Sequence, residues 1–171
     1  LYATLFAPQQ HIVCKGYGNE SSTKDYEYND YTQTLFEGKV KVTAGRFTIE
    51  TVIPRGTTLS PSKCLLSLYT EHDSTTAHYN GQFSNFCINS STQPTETDTL
   101  GPKVYLYIGT PDFPDGGTVG TGATLYASVA DSTGISMMTG NLGHDMELWF
   151  DGRRDQSIIV NDYFTFDYGS Y

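Results

Sequence analysis

Apolar positions along the chain fall in short runs, alternating or clustered, and each run is closed by Gly, Pro, Asn, Asp or Ser. That spacing predicts strands rather than helices. Residues 1–6 (LYATLF) make the first expected strand, broken at Pro8, and residues 11–14 (HIVC) a short second one. Residues 16–31 (GYGNESSTKDYEYNDY) are polar, charged and studded with tyrosine, and read as a long loop. Residues 34–42 (TLFEGKVKV) and 46–54 (RFTIETVIP) flank Thr43-Ala44-Gly45, which predicts a β-hairpin. In its second arm Phe47, Ile49, Thr51 and Ile53 share one face, and Arg46, Thr48, Glu50 and Val52 the other. One face is therefore apolar and the other mostly wet.

Residues 59–62 (LSPS) turn the chain into a strand at 64–69 (CLLSLY), and a polar stretch leads to another at 83–88 (FSNFCI). Residues 89–99 (NSSTQPTETDT) are almost without apolar side chains and read as a linker. Beyond it come strands at 104–108 (VYLYI) and 124–130 (TLYASVA), separated by a loop at 109–122 with five Gly and two Pro. Asp131-Ser132-Thr133-Gly134 is a strong turn signal. Residues 146–150 (MELWF) and 157–160 (SIIV) flank a further turn at 151–155 (DGRRD). No segment carries a sustained helical period.

Short strands between such turns predict an all-β protein of two tandem immunoglobulin-like or prealbumin-like β-sandwich modules, residues 1–97 and 98–171. Each module shows four or five strands where about seven are usual. The first is expected to lack an N-terminal strand and the second its C-terminal strands. Leu1 opens directly in strand-like sequence, with no charged leader before it, so the chain reads as an excised piece without its own signal peptide. No stretch reaches the roughly 20 apolar residues that span a bilayer, so no membrane-spanning segment is expected.

Composition sharpens this picture. Thirteen Tyr and nine Phe stand against one Trp, Trp149, which sits in a run expected to be buried. Ten basic residues against nineteen acidic ones give a net charge of −9. Nucleic-acid binding, which needs clustered cations, is thereby excluded. Acidity of this kind keeps a surface soluble, and the sharper alternative is a calcium site built from loop carboxylates. The calcium candidates are Asp112, Asp115, Asp131, Asp145, Asp151, Asp155 and Asp162, all at expected strand ends or turns, although turn aspartates also serve simply to cap their own backbone. No other cofactor is expected.

Cys14, Cys64 and Cys87 lie in apolar strand-like contexts, outside any CxxC or zinc spacing. They read as buried thiols packing like small hydrophobes, with a Cys64–Cys87 bridge left open. Nucleophilic catalysis needs a thiolate or hydroxyl beside a base. His11 precedes Cys14 by three positions, which on a strand puts the two side chains on opposite faces. Gly143-His144-Asp145 reads as a turn entering the next strand. Tyr26, Tyr28, Tyr31, Tyr69 and Tyr79 are candidates for a sugar-stacking face, or else sandwich residues with one wet edge. The chain by itself is not expected to be an enzyme.

Several strings in order carry a resemblance. They are Gly101-Pro102-Lys103-Val104-Tyr105-Leu106-Tyr107-Ile108, Asp115-Gly116-Gly117-Thr118, the run 125–131, Gly134-Ile135, Gly143-His144-Asp145-Met146, Asp151 and Val160-Asn161-Asp162-Tyr163. Earlier, Leu35-Phe36-Glu37-Gly38-Lys39-Val40, Gly45-Arg46-Phe47 and Val52-Ile53-Pro54 belong to the same series. Together they resemble the C-terminal β-sandwich region of gingipain-like, PorU-type cysteine peptidases, the sortases of the Bacteroidetes type IX secretion system. The resemblance implies a non-catalytic spacer or docking region, the catalytic Cys and His lying in an upstream α/β domain. It also implies a secreted, cell-surface or outer-membrane-associated protein. Its partners would be its own upstream peptidase domain or secretion-system proteins. The alternative is a stand-alone carbohydrate- or calcium-binding surface module.

Overall fold

A computed structural model describes residues 1–16, 24–53, 57, 61–72, 76–89, 99–138 and 145–170. Ten strands follow in order: β1 Tyr2–Phe6, β2 Gln10–Cys14, β3 Tyr26–Asp30, β4 Thr34–Lys39, β5 Leu65–Glu71, β6 His78–Phe83, β7 Lys103–Ile108, β8 Leu125–Ala130, β9 Glu147–Leu148 and β10 Ile158–Ile159. Single 3₁₀ turns occupy Arg154–Gln156 and Asn161–Tyr163. The protein is all-β and sandwich-like, built from separate antiparallel sheets with no barrel closure.

The main sheet has the order β4-β1-β5-β6. Its register sets Phe36, Leu5, Leu66 and Phe83 in one row across the strands, and Gly38, Ala3, Leu68 and Gly81 in the next row of the same face. The opposite face carries Lys39, Tyr2, Tyr69 and Asn80, then Glu37, Thr4, Ser67 and Gln82. Alternation along each strand thus separates an apolar face from a polar one. Between β1 and β4 the register slips, Leu5 facing Phe36 and Phe6 facing Thr34, so Leu35 is the extra residue of a bulge. A regular strand would send Leu35 and Phe36 to opposite faces. The bulge re-aims the backbone, and both are buried, Leu35 completely.

The apolar face is covered by residues from much later in the chain. Ala3, Leu5, Ala7, Leu35, Phe36 and Val40 form one core cluster with Ile135, Met137 and Phe166. Phe166 stacks on Phe36 with ring centroids 5.1 Å apart, and its amide donates to the Glu37 carbonyl at 2.8 Å. This pairing is a lone parallel bridge between Gly38 and Phe166. It needs glycine: a Cβ at position 38 would lie 2.8 Å from the Phe166 carbonyl oxygen. Asn161, 2% exposed, ties the covering segments together. Its side-chain oxygen accepts the Met146 amide at 2.8 Å, and its amide nitrogen donates to the Met138 carbonyl at 3.4 Å.

Three two-stranded ribbons, β2–β3, β7–β8 and β9–β10, complete the regular structure. In β7–β8 the register gathers Val104, Leu106, Ile108, Leu125, Ala127 and Val129 on one face and Tyr105, Tyr107 and Tyr126 on the other. Val129 packs against the core cluster, whereas Val104, Tyr105, Leu106 and Tyr126 are exposed.

Several expectations are corrected. The segment read as a loop at 16–31 contains β3, which pairs with β2 from Cys14↔Tyr26 to Gln10↔Asp30. It is exposed at every position, so its pairing leaves no apolar alternation to read. The strand expected at 83–88 lies earlier, at His78–Phe83, again a fully exposed edge strand. Residues 46–53 are not a strand: only the hairpin tip closes, Thr43 and Arg46 exchanging backbone bonds of 2.9 and 3.0 Å around Ala44 (φ 50°) and Gly45 (φ 76°). Cys64 is buried, but Cys14 and Cys87 are exposed, one on the outer ribbon and the other past the end of β6. Trp149 is 42% exposed, because among the described residues β9 pairs only with the equally short β10, and the Arg154 guanidinium lies 5.5 Å from its ring centroid. The expected module boundary at 97/98 and the Gly143-His144 pair lie outside the described residues.

Candidate functional site

Past the Gly38–Phe166 bridge, β4 and the returning tail separate. The tail folds into a turn closed by the Ser170 amide on the Asp167 carbonyl at 3.0 Å, while the chain after β4 runs into the 43–46 tip and back along 47–53. A groove of about 390 Å³ opens between them. Its lower wall is apolar, formed by Phe36, Val40, Phe47 and Ile49, of which Phe36 and Val40 belong to the buried core. Its rim carries Lys39, Lys41 and Arg46, with Glu50 and Asp167 as the two carboxylates.

Three of the chain's ten cations therefore line one groove, in a protein of net charge −9. Lys39 also sets its ammonium over the Tyr2 ring, 5.3 Å from the centroid. Among the described residues, Lys41 and Arg46 form no ion pair. The walls also hold unused backbone: among the described residues, Lys41 and residues 47–50 make no backbone hydrogen bond. A groove with an apolar floor, a cationic rim and free peptide groups can accept an extended chain. The sequence signal was three cations within residues 39–46 of a cation-poor chain, of which the hairpin reading assigned only Arg46, to the wet face of its second arm.

The aspartates singled out from sequence are dispersed. Asp112 and Asp115 lie in the loop between β7 and β8, and Asp162 in the second 3₁₀ turn. Asp131 caps its own turn, its carboxylate accepting both the amide and the hydroxyl of Thr133 at 2.8 Å. Asp145 precedes β9, Asp151 sits in a turn with φ 53°, and Asp155 lies 3.9 Å from Arg153. Among the described residues, no group of three or more His, Cys, Asp or Glu side chains is placed to hold a metal ion.

Among the other candidates, His11 and Cys14 lie apart, whereas Cys64 and Cys87 lie near one another. His11 bonds across its ribbon to Asn29 at 3.3 Å and lies 3.4 Å from Glu27, away from Cys14. Cys14 instead faces Tyr28, and its thiol pushes the Tyr28 phenol above its ordinary pKa. Burial pushes the Cys64 thiol up, a backbone hydrogen bond at Ile88 opposes this, and nearby Cys87 adds to it. Tyr26 and Tyr28 pair on β3 at 5.7 Å, Tyr31 packs on Phe6 at 6.0 Å, and Tyr69 lies 6.2 Å from Tyr2. Tyr69 and Tyr79 point to opposite sides of the main sheet, so the five form no common face.

Fold and groove define the class first: an all-β, sandwich-like protein with an open, cation-rimmed groove at one sheet edge. No described helix is long and apolar enough to cross a membrane. No family model matches the sequence, and no curated protein matches it. Among solved structures, the chain is similar to PorU from Porphyromonas gingivalis, described as a crystal structure of its dimeric latent form. The match has 24% identity and a TM-score of 0.53, and covers 96% of this chain. It spans 15% of that PorU chain. The fold is therefore PorU-like over nearly the whole of this chain.

Proposed function

We propose that this chain is a non-catalytic spacer or docking region of a secreted or cell-surface PorU-type cysteine peptidase, drawn from its C-terminal β-region. The observation that carries the reading is the fold likeness to PorU over 96% of this chain, matched to only 15% of PorU. The order of the sequence strings supports assigning the likeness to the C-terminal region. The separation of His11 from Cys14, whose partners across the ribbon are Asn29 and Tyr26, supports a role without cysteine–histidine chemistry in this chain. In this reading the region holds the peptidase domain at the cell surface and contacts secretion-system proteins.

The test uses the isolated chain and the full parent protein in parallel. The isolated chain is expected to hydrolyse none of a broad peptide library, while the parent without this region loses surface retention. Hydrolysis by the isolated chain that disappears on a cysteine-to-alanine substitution would overturn the reading. So would normal surface retention of the shortened parent.

One observation favours the rival glycan-binding reading. The polar face of the main sheet sets exposed Tyr2 and Tyr69 side by side between Lys39 and Asn80, and the Tyr69 hydroxyl lies 2.7 Å from His78 Nδ1. A ligand that binds only the folded state raises its melting temperature. A glycan panel that raises it, and a Tyr2→Ala, Tyr69→Ala protein that no longer responds, would favour the rival.

A further inference from the structure

We propose that the groove beside β4 binds an extended acidic peptide, which adds to the sheet edge as a strand. The inference goes beyond the spacer reading and stands without it. Three features of the groove carry it.

The first is the backbone. β4 is an edge strand whose outer side makes a single parallel bridge, at Gly38, before the tail turns away. Beyond that bridge, Lys41, Val42 and residues 47–50 make no backbone hydrogen bond among the described residues. The Thr51 hydroxyl oxygen, on the segment that continues from this wall, is buried with no partner among the described residues. Peptide N–H and C=O groups on an open edge are a template for another extended chain. Residues 47–50 line the groove, so their peptide groups lie along the path of a chain seated in it.

The second feature is the floor. Val40, itself a member of the buried core, and Ile49, which packs against that core, line the groove. A strand presents alternate side chains to opposite sides. An incoming strand can thus set every second side chain on Val40 and Ile49 while the others meet the rim.

The third is charge complementarity. Lys41 and Arg46 have no carboxylate partner among the described residues, while the protein as a whole is strongly acidic. Two unpaired cations lining one groove select carboxylates on the rim-facing side chains of the ligand. Glu50 and Asp167, at the same groove, disfavour a uniformly polyanionic chain and favour one whose charges alternate with apolar residues. An acidic polysaccharide supplies charge without the backbone donors and apolar side chains that the other two features require.

The experiment is fluorescence anisotropy on the whole 171-residue chain, with a labelled nine-residue peptide of alternating Glu and Val as probe. Two further peptides are N-methylated at odd or at even amides, and polygalacturonate serves as the saccharide competitor. Saturable binding is expected, weakened at least tenfold by Lys41→Glu with Arg46→Glu and retained with Lys41→Arg and Arg46→Lys. Affinity should fall as salt rises, and at least one N-methylated peptide should lose binding. The proposal is overturned by absent peptide binding, by equal affinity for the charge-reversed protein, or by binding of both N-methylated peptides as tight as that of the unmodified peptide. Tighter, charge-dependent binding of polygalacturonate at the same site also overturns it. The N-methylated peptides leave the protein unaltered, so their result does not depend on how the variants fold.

Discussion

The main sheet and the β7–β8 ribbon are made of similar strands and meet solvent in different ways. β1 lies between β4 and β5, and its inward residues Ala3 and Leu5 are buried beneath Ile135, Met137 and Phe166. β7 has one strand neighbour, and its aliphatic face remains largely open, with Leu106 52% exposed. Aliphatic content is not the difference, since VYLYI on β7 is at least as apolar as YATLF on β1. Cover is. A sheet contributes stability where another layer removes its apolar face from water, and an isolated two-stranded ribbon is marginal without such a layer. The ribbon is anchored at Val129 on the core, while the Tyr105 hydroxyl braces the ribbon's own connecting loop by donating to the Pro111 carbonyl at 3.0 Å.

The contrast can be tested from its strongest point downward. Leu35→Ala empties a fully buried site at the bulge, and is expected to cost about 2–5 kcal/mol, read as a fall in the urea midpoint. Gly38→Ala drives a Cβ to 2.8 Å from the Phe166 carbonyl oxygen and should cost about 1–3 kcal/mol, with the tail loosened from β4. Hydrogen exchange at the Phe166 amide, which bonds to Glu37, should speed up more than exchange in β5. Unchanged exchange at Phe166 would mean the lone bridge does not hold the tail.

A smaller effect is expected from Cys64. Its thiol pKa is raised in the folded protein, chiefly by burial, so the unfolded chain releases that proton first as pH climbs past the usual thiol value of about 8.5. Stability from the protonated thiol is thus complete below that value and is lost as pH rises toward the folded pKa. Urea midpoints from pH 7.5 to 10 should decline more steeply in the natural protein than in Cys64→Ala. Smallest of all is Leu106→Ala, expected to change stability by less than about 0.5 kcal/mol because the side chain already meets water. A cost near that of Leu35→Ala would show that the open face of β7–β8 is covered in solution, and would remove the contrast.

The same contrast explains how much of the molecule was legible in its sequence. Alternation reports which side chains are covered, and it located β1, β4, β5, β7 and β8 because each carries apolar side chains in a run. It missed β3 and placed β6 too late, because YEYND and HYNGQF are exposed on both faces and owe their extended form to backbone pairing alone. Residues 46–53 gave the opposite error. Their alternation is real, with Ile49 and Ile53 packed against the core, yet among the described residues no strand pairs with them. The groove was hidden for the same reason, since Arg46 looks like part of the wet face of a closed hairpin until the hairpin is seen to close only at its tip.

The bridge between Gly38 and Phe166 also bears on how the protein assembles during synthesis. Strands β1 and β4 leave the ribosome early, but the aromatic ring that stacks on Phe36 arrives only after most of the described chain has been made. Closing so long a loop is entropically costly, and such non-local contacts slow folding. Until Phe166 docks, the apolar row Phe36–Leu5–Leu66–Phe83 stands partly bare beside an unpaired β4 edge. The nascent chain therefore passes through a stage that favours holding by a chaperone, and translation rate across the second half becomes a determinant of yield.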